Sequence, residues 1–101
     1  MVELTNSGIP HLHLPLACII DHLGCRLLAM SCLPIDSNTL VYGSSDGGNS
    51  FHEDSSLAQK VMSQIGKNFN LKPHYFDNHL VFACVDLEIH LGKDGRLCFF
   101  F

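Results

Sequence analysis

Three side chains that can transfer protons or bind metals occupy alternate positions late in the chain: Asp86, Glu88 and His90. Alternate residues of a β-strand lie on the same face, so a strand here would bring the three together. Two carboxylates and an imidazole could then act as general acids and bases, or as metal ligands. The solvated face of an edge strand produces the same spacing. We favour this structural interpretation, because antiparallel sheets commonly expose one face.

A glycine-rich polar loop is the second candidate site. Leu40–Tyr42 favours a strand, and Gly43–Gly48 permits a tight turn at its end. Asp46 is expected to accept hydrogen bonds from backbone amides within the loop, as turn aspartates do. We expect the loop to be held by its own polar groups and not by a phosphate, since no P-loop Gly-Lys-Ser/Thr follows it. The ligand candidates of this region are Tyr42, Gly43, Ser44, Asp46, Gly48 and His52.

An arginine next to a turn is the third feature. The pair Asp94-Gly95 is typical of a tight β-hairpin turn. Arg96 follows it, and its guanidinium could bind a carboxylate through two parallel hydrogen bonds. The possible partners are Asp46, Asp86 and Asp94, and Asp86 is favoured because it lies in the strand that leads to the same hairpin.

Histidine and cysteine patterns give weaker indications of a metal site. His11 and His13 would share one face of a strand, but a tetrahedral metal site needs two further ligands. The five cysteines include no Cys-x-x-Cys pair, the spacing typical of zinc sites. We therefore expect five free thiols, no zinc, no cofactor and a reduced cytosolic compartment. No basic residue precedes Arg26, so neither a secretory nor a mitochondrial leader is predicted.

A β-hairpin is predicted in the first third of the chain. The apolar runs Leu14–Ile20 and Arg26–Leu33 flank a turn signal at His22–Gly24. Because both runs are nearly continuously apolar, we expect both faces to be covered, or both strands to lie centrally in the sheet. Pro34 is expected to end the second strand, since proline has no amide hydrogen for the ladder.

One helix is predicted from about Ser56 to about Asn68. Ser56 and Gln59 fit a capping box at its start. Its apolar stripe, which should face the sheet, consists of Leu57, Val61, Ile65 and Phe69, with Ala58 and Met62 beside them.

The rest of the chain favours strands. These are His74–Phe76, the long candidate Leu80–Leu91, and Arg96–Phe101 after the hairpin turn. The sequence thus predicts an α+β domain, with a mostly antiparallel sheet of hairpins and one main helix packed on a face. The apolar end Phe99–Phe101 would lack cover, so we expect other parts of a larger chain, or a protein partner, to cover it.

The composition fits a single compact domain. The chain has 101 residues, of which 47% are hydrophobic and 16% are charged. The net charge is −4 and the six Lys and Arg residues are scattered, so direct RNA binding is not expected. The longest apolar run is much shorter than the ~20 residues that span a bilayer.

Three stretches, in order, resemble the Clu domain of the clustered mitochondria protein family. Asp21–Pro34 resembles the opening of that domain. Tyr42–Gly48 is similar to its Tyr-Gly-Ser-x-Asp-x-Gly loop, and His52 lies where a histidine often follows. Asp86–Arg96 looks like its acidic strand and Gly-x-Asp-Gly-Arg hairpin. The resemblance covers nearly the whole chain from Ile9.

The sequence departs from the family pattern at several positions. Cys25 replaces an aromatic residue, Asn49-Ser50 replaces Lys-Thr, and Ile89 replaces a small residue. Phe100-Phe101 stands where the family hairpin continues into Leu-Asp, so residues 1–101 are interpreted as one partial, C-terminally truncated Clu-like domain.

The resemblance implies a non-catalytic, cytoplasmic scaffold or interaction module. Its expected roles are in mitochondrial distribution and in messenger RNA and translation of mitochondrial proteins. The alternative is a fragment of an enzyme or of a phosphate-binding domain. In that case the Gly43–Gly48 loop would meet the Asp86, Glu88 and His90 face in a cleft.

Overall fold

The computed structural model describes residues 8–84 and 86–100. These residues form one α-helix and several small sheets whose strands all pair antiparallel, which confirms the predicted α+β class. In chain order the elements are β1 (Ala17–His22), β2 (Cys25–Met30), β3 (Leu40–Gly43), β4 (His52–Glu53), α1 (Ser56–Asn68), β5 (His74–Phe76), β6 (His79–Val81), β7 (Glu88–Leu91) and β8 (Leu97–Phe100).

A four-stranded sheet in the order β4-β3-β7-β8 forms the centre of the fold. Its inner residues and the buried side of α1 build one apolar core. The largest fully buried side chains in that core are Tyr42, Met62, Ile89 and Phe99. β7 lies between β3 and β8, so the interpretation of residues 86–90 as a solvated edge strand is wrong.

The helix begins at Ser56 because Ser55, and not Ser56, caps it: the Ser55 hydroxyl accepts a hydrogen bond from the Ala58 amide. The helix ends in a Schellman-type turn, where Asn70 has φ 53° and the Leu71 amide donates to the Gly66 carbonyl at 2.8 Å. The buried face consists of Ala58, Val61, Met62, Ile65 and Gly66. Four residues of the predicted stripe, Ala58, Val61, Met62 and Ile65, are thus buried, whereas Leu57 is 40% exposed.

The long strand predicted over Leu80–Leu91 is interrupted. β6 ends at Val81 and β7 begins at Glu88, and between them the Leu87 amide closes a turn on the Cys84 carbonyl. The Phe82 ring packs against the bare backbone of Gly66, where a methyl group would lie 2.7 Å from ring atom Cδ1. Phe82 thus lies against the helix just beyond the end of β6, although the alternating sequence pattern continues through it.

β1 and β2 form a separate two-stranded hairpin. Its turn is Leu23-Gly24, and both residues have positive φ, as in the tight turns that suit the twist of paired strands. The predicted cover over its faces is absent from the described residues: Ile19 is 65% exposed and Leu28 is 64% exposed. The hairpin joins the domain at its base, where the Ser31 amide donates to the Leu16 carbonyl.

The other strand predictions have mixed outcomes. The strand predicted around His11 and His13 is reduced to an isolated bridge between His13 and Cys98. β8 is covered by this chain itself as far as Phe99, which is buried, and Phe100 is half-buried. Phe101 lies outside the described residues.

Candidate functional site

The loop after β3 starts at a position that only glycine fits. Gly43 has φ 107°, and a side chain there would collide with the Leu87 carbonyl oxygen. The next residue, Ser44, is buried, and its hydroxyl accepts from the Gly48 amide at 2.8 Å. The same hydroxyl donates to Asp46 Oδ1 at 2.7 Å.

Asp46 is engaged on both carboxylate oxygens within this loop. Oδ1 accepts from the Ser50 amide at 2.9 Å, and Oδ2 accepts from the Ser50 hydroxyl at 2.6 Å. The Ser50 hydroxyl is the largest influence that lowers the pKa of Asp46 below its ordinary value, followed by the Ser50 amide and the Ser44 hydroxyl. Asp46 thus accepts one backbone amide, as predicted for a turn aspartate, but the amide is that of Ser50, two residues beyond Gly48. The exclusion of phosphate stays a prediction.

Two of the three alternating side chains are joined in β7. His90 Nε2 lies 3.0 Å from Glu88 Oε2, and His90 Nδ1 lies 2.9 Å from Thr39 Oγ1. A carboxylate only accepts, so we place a hydrogen on Nε2. His90 is buried and Glu88 is partly buried. Asp86 precedes the strand and is exposed, so it does not share their face.

A cavity of about 240 Å³ borders this pair. It is lined by Glu88, His90 and Phe100 on the sheet, and by Asp36 and Ser45 on neighbouring loops. The structure thus brings one residue of the glycine-rich loop beside the Glu88–His90 pair. The residue it brings is Ser45, whereas the hydrogen bonds of the Asp46 carboxylate are made within its own loop.

The remaining predicted residues form local pairs. His52 Nδ1 lies 3.2 Å from Asp54 Oδ2. Arg96 binds Asp94, with Nε donating to Oδ2 at 2.8 Å, so the favoured partner Asp86 is wrong. The tight turn around Gly95, which has φ 82°, places the carboxylate next to the guanidinium. Because these two residues are so close in sequence, their contact closes a very short loop and restricts the conformation of few other residues.

Metal ligands do not converge in the part of the chain that the structure describes. Within residues 8–84 and 86–100, no three His, Cys, Asp or Glu side chains lie close enough to hold one ion. The five cysteines are unpaired, and all except Cys98 are exposed.

None of the described helices has the length and apolar character needed to cross a bilayer.

A groove between α1 and β6 was missed by the sequence reasoning, apart from Tyr42. We call it the α1–β6 groove, and its volume is about 350 Å³. Tyr42 and Glu53 line it from the sheet, and Leu80 and Phe82 line it from β6 and the residue after it. The helix contributes Ser56, Gln59, Lys60 and Ser63. Their three- and four-residue spacing predicts one helix face, but it gives no sign of what stands opposite.

The Tyr42 hydroxyl is the one buried polar side-chain atom of the described residues that has no hydrogen-bond partner. Burial is the main cause that raises the pKa of Tyr42. The negative charge of Glu53 adds to this rise in pKa. The Phe82 backbone partly opposes the rise, although it does not complete a hydrogen bond with the hydroxyl. The Tyr42 ring packs edge-on against Phe51, with centroids 5.2 Å apart. Glu53 Oε2 is held 2.6 Å from His79 Nδ1.

A comparison with protein-family models matches residues 1–100 to the family described as clustered mitochondria. The chain belongs to the clustered mitochondria family. No curated protein and no solved structure matches it. For this family member, the three stretches that suggested the resemblance lie in different elements: the β1–β2 hairpin, the loop after β3, and the β7–β8 hairpin.

Proposed function

We propose that this clustered mitochondria family chain is a non-catalytic interaction module that acts in mitochondrial distribution. The exposed β1–β2 hairpin is the observation that carries the proposal. The family supports a link to mitochondrial clustering. We extend the proposal to a cytoplasmic role near messenger RNA and translation of mitochondrial proteins. We treat residues 1–101 as one partial domain of a larger assembly.

The hairpin is apolar on both faces. The register pairs Ile19 with Leu28 on one face and Ile20 with Leu27 on the other. Leu23 at the tip is 90% exposed. Apolar surface of this kind favours burial, and each such side chain contributes about 1.5–3 kcal/mol when it is fully covered. A partner with an apolar cleft that holds both faces fits this arrangement, whereas a flat surface would cover only one.

The tip of the hairpin carries little net charge. Arg26 Nε donates to Asp21 Oδ1 at 2.7 Å, and Arg26 NH2 donates to Asp21 Oδ2 at 3.0 Å. With the two charges paired, an apolar cleft in another protein suits the hairpin better than the phosphate backbone of RNA. We propose that the partner is a protein or another part of a larger chain. It would also cover the end of β8 beyond Phe99, where Phe100 is half-buried.

The test replaces one apolar pair at a time in the full-length protein, expressed in cells that lack it. Ile19→Ser with Leu28→Ser changes one face, and Ile20→Ser with Leu27→Ser changes the other. We expect neither double variant to restore normal mitochondrial distribution in fluorescence micrographs. The melting temperature should stay close to the wild-type value, because neither pair belongs to the core cluster.

Leu57→Ser is the matched control, since Leu57 is an exposed leucine on α1, away from the hairpin. It should restore mitochondrial distribution like the wild type. Full rescue by both hairpin double variants would refute the proposal. Rescue by only one of them would show that the partner covers a single face.

The alternative proposal is a ligand-binding or enzymatic fragment. The cavity that Ser45 shares with Glu88 and His90 is the observation that favours it. A concentration-dependent rise in melting temperature with inorganic phosphate or nucleotides would support it, provided that Ser45→Ala abolishes the rise while the variant remains folded. We expect no such rise, because the Gly48 and Ser50 amides already donate to the Ser44 hydroxyl and to the Asp46 carboxylate.

A further inference from the structure

The α1–β6 groove combines an apolar wall with hydrogen-bond donors. Leu80 and Phe82 supply the apolar wall, and the helix presents Ser56, Lys60 and Ser63 to the same cavity. Its volume of about 350 Å³ falls at the small end of the roughly 300–1,000 Å³ that is usual for ligand sites.

The Tyr42 hydroxyl is buried among the groove residues. Tyr42 is only 2% exposed, and its hydroxyl has no hydrogen-bond partner in the described part of the chain. Tyr42 lines the groove together with Phe82 and Glu53. Burial keeps the hydroxyl protonated, and a phenol hydroxyl can donate one hydrogen bond.

The charges in the groove favour a singly charged anion. Lys60 forms no ion pair with any described residue, so its ammonium is available. Glu53 is the acidic residue of the groove, and its Oε2 is occupied by His79. A carboxylate near Lys60 would gain a charge-assisted hydrogen bond. A doubly charged phosphate would meet the same single cation and would be repelled by Glu53 more strongly than a monocarboxylate is.

Two of the amides at the start of α1 are already used within the chain. The Ala58 amide already donates to the Ser55 hydroxyl, and the Gln59 amide already donates to the Ser55 carbonyl. Free amides at a helix start are what normally bind phosphate groups. The side chains that line the groove supply further donors: one phenol, one ammonium and two serine hydroxyls.

We propose that the α1–β6 groove binds a small monocarboxylate with an apolar body, which is a function separate from that of the β1–β2 hairpin. The carboxylate accepts hydrogen bonds from the Tyr42 hydroxyl and the Lys60 ammonium. The apolar body lies against Leu80 and Phe82.

The experiment titrates 3-phenylpropanoate into the isotopically labelled 101-residue chain and follows backbone amide shifts by NMR. We expect saturable shifts at groove residues, with a dissociation constant in the millimolar range that is usual for so small a ligand. The neutral alcohol 3-phenylpropan-1-ol has the same apolar body and should bind at least about tenfold more weakly, since it lacks the charge-assisted bond. Inorganic phosphate should produce no saturable shift in the groove.

Two variants separate the donors. Tyr42→Phe keeps the ring and should weaken binding about tenfold, the usual effect of one lost hydrogen bond. Lys60→Gln changes an exposed residue, cannot disturb the core, and should also weaken binding several-fold. Lys67→Gln is the matched control, because Lys67 is an exposed lysine of the same helix outside the groove lining, and it should bind like the wild type.

Four outcomes would overturn the proposal: no saturable shift, equal affinity for acid and alcohol, phosphate binding as tight as carboxylate binding, or wild-type affinity in both Tyr42→Phe and Lys60→Gln. The hairpin double variants should retain binding. Failure of the interaction proposal therefore leaves this result unaffected, and the reverse also holds.

Discussion

Replacing Tyr42 by phenylalanine should stabilise the free protein. Phenylalanine keeps the ring and its edge-on contact with Phe51, so the core loses no packing. The change removes only the hydroxyl, which is buried and has no hydrogen-bond partner in the described part of the chain. In the unfolded chain that hydroxyl is hydrogen-bonded to water, and folding removes this bond without replacing it.

The size of the effect follows from the desolvation of one hydroxyl. A buried polar group without a partner costs about 1–3 kcal/mol. The Phe82 backbone lies close enough to lower the pKa of Tyr42, so part of this cost is already offset. We therefore expect a gain near the lower limit, about 1 kcal/mol. This corresponds to a rise of about 4–8 °C in the melting temperature of a domain of this size.

Urea denaturation followed by circular dichroism measures this difference directly. The second tyrosine of the chain provides a control, since Tyr75 lies in β5 and is largely exposed. Tyr75→Phe should change the free energy of unfolding by less than about 0.5 kcal/mol. A loss of stability of about 1 kcal/mol in Tyr42→Phe would show that the hydroxyl has a partner in solution, and would refute the reasoning.

Three further predictions concern the loop after β3 and the thiols. Gly43→Ala should lower the free energy of unfolding by about 3 kcal/mol or more, because strain at positive φ adds to the collision with the Leu87 carbonyl. Gly95 also has positive φ but has open space around it, so Gly95→Ala should lower the free energy of unfolding by only about 1–2 kcal/mol. Urea denaturation measures both changes. The pKa of Asp46 is lowered in the folded state, so its stabilising effect is complete above the ordinary value near 4 and is lost as the pH falls below it. The melting temperature between pH 6 and 2.5 should therefore depend less on pH in Asp46→Asn, and an unchanged dependence would contradict the loop geometry. A thiol reagent should modify four cysteines rapidly in the folded protein and Cys98 only on unfolding, since Cys98 is buried and burial raises its pKa. Five equally fast reactions would contradict the burial of Cys98. The four exposed thiols are Cys18, Cys25, Cys32 and Cys84.

Local sequence signals predicted the parts of the fold that local chemistry decides. The helix bounds Ser56–Asn68 follow from apolar periodicity and from stop signals at Asn70. The turn at Gly95 follows from the Asp-Gly pair, and the internal bonding of Asp46 follows from the ordinary behaviour of turn aspartates. In each case the deciding partners lie within a few residues of one another.

Contacts between distant segments account for the errors. Nothing near Phe82 in the sequence shows that its ring lies on Gly66, so the strand was extended through it. The apolar character of Ile19 and Leu28 predicted cover, but it could not tell whether this chain supplies that cover. The α1–β6 groove was missed for the same reason, since Tyr42 and Lys60 meet only after folding.

The β1–β2 hairpin leaves and re-enters the domain at almost the same point. Leu16 and Ser31 are joined there by two hydrogen bonds: the Leu16 amide donates to the Ser31 hydroxyl at 3.0 Å, and the Ser31 amide donates to the Leu16 carbonyl at 2.8 Å. Residues 17–30 are therefore an interchangeable insert, whose removal would leave a gap that a tight two-residue turn can close. The domain could accept a different hairpin at this position with its core unchanged, so partner choice and core stability could diverge independently among related proteins.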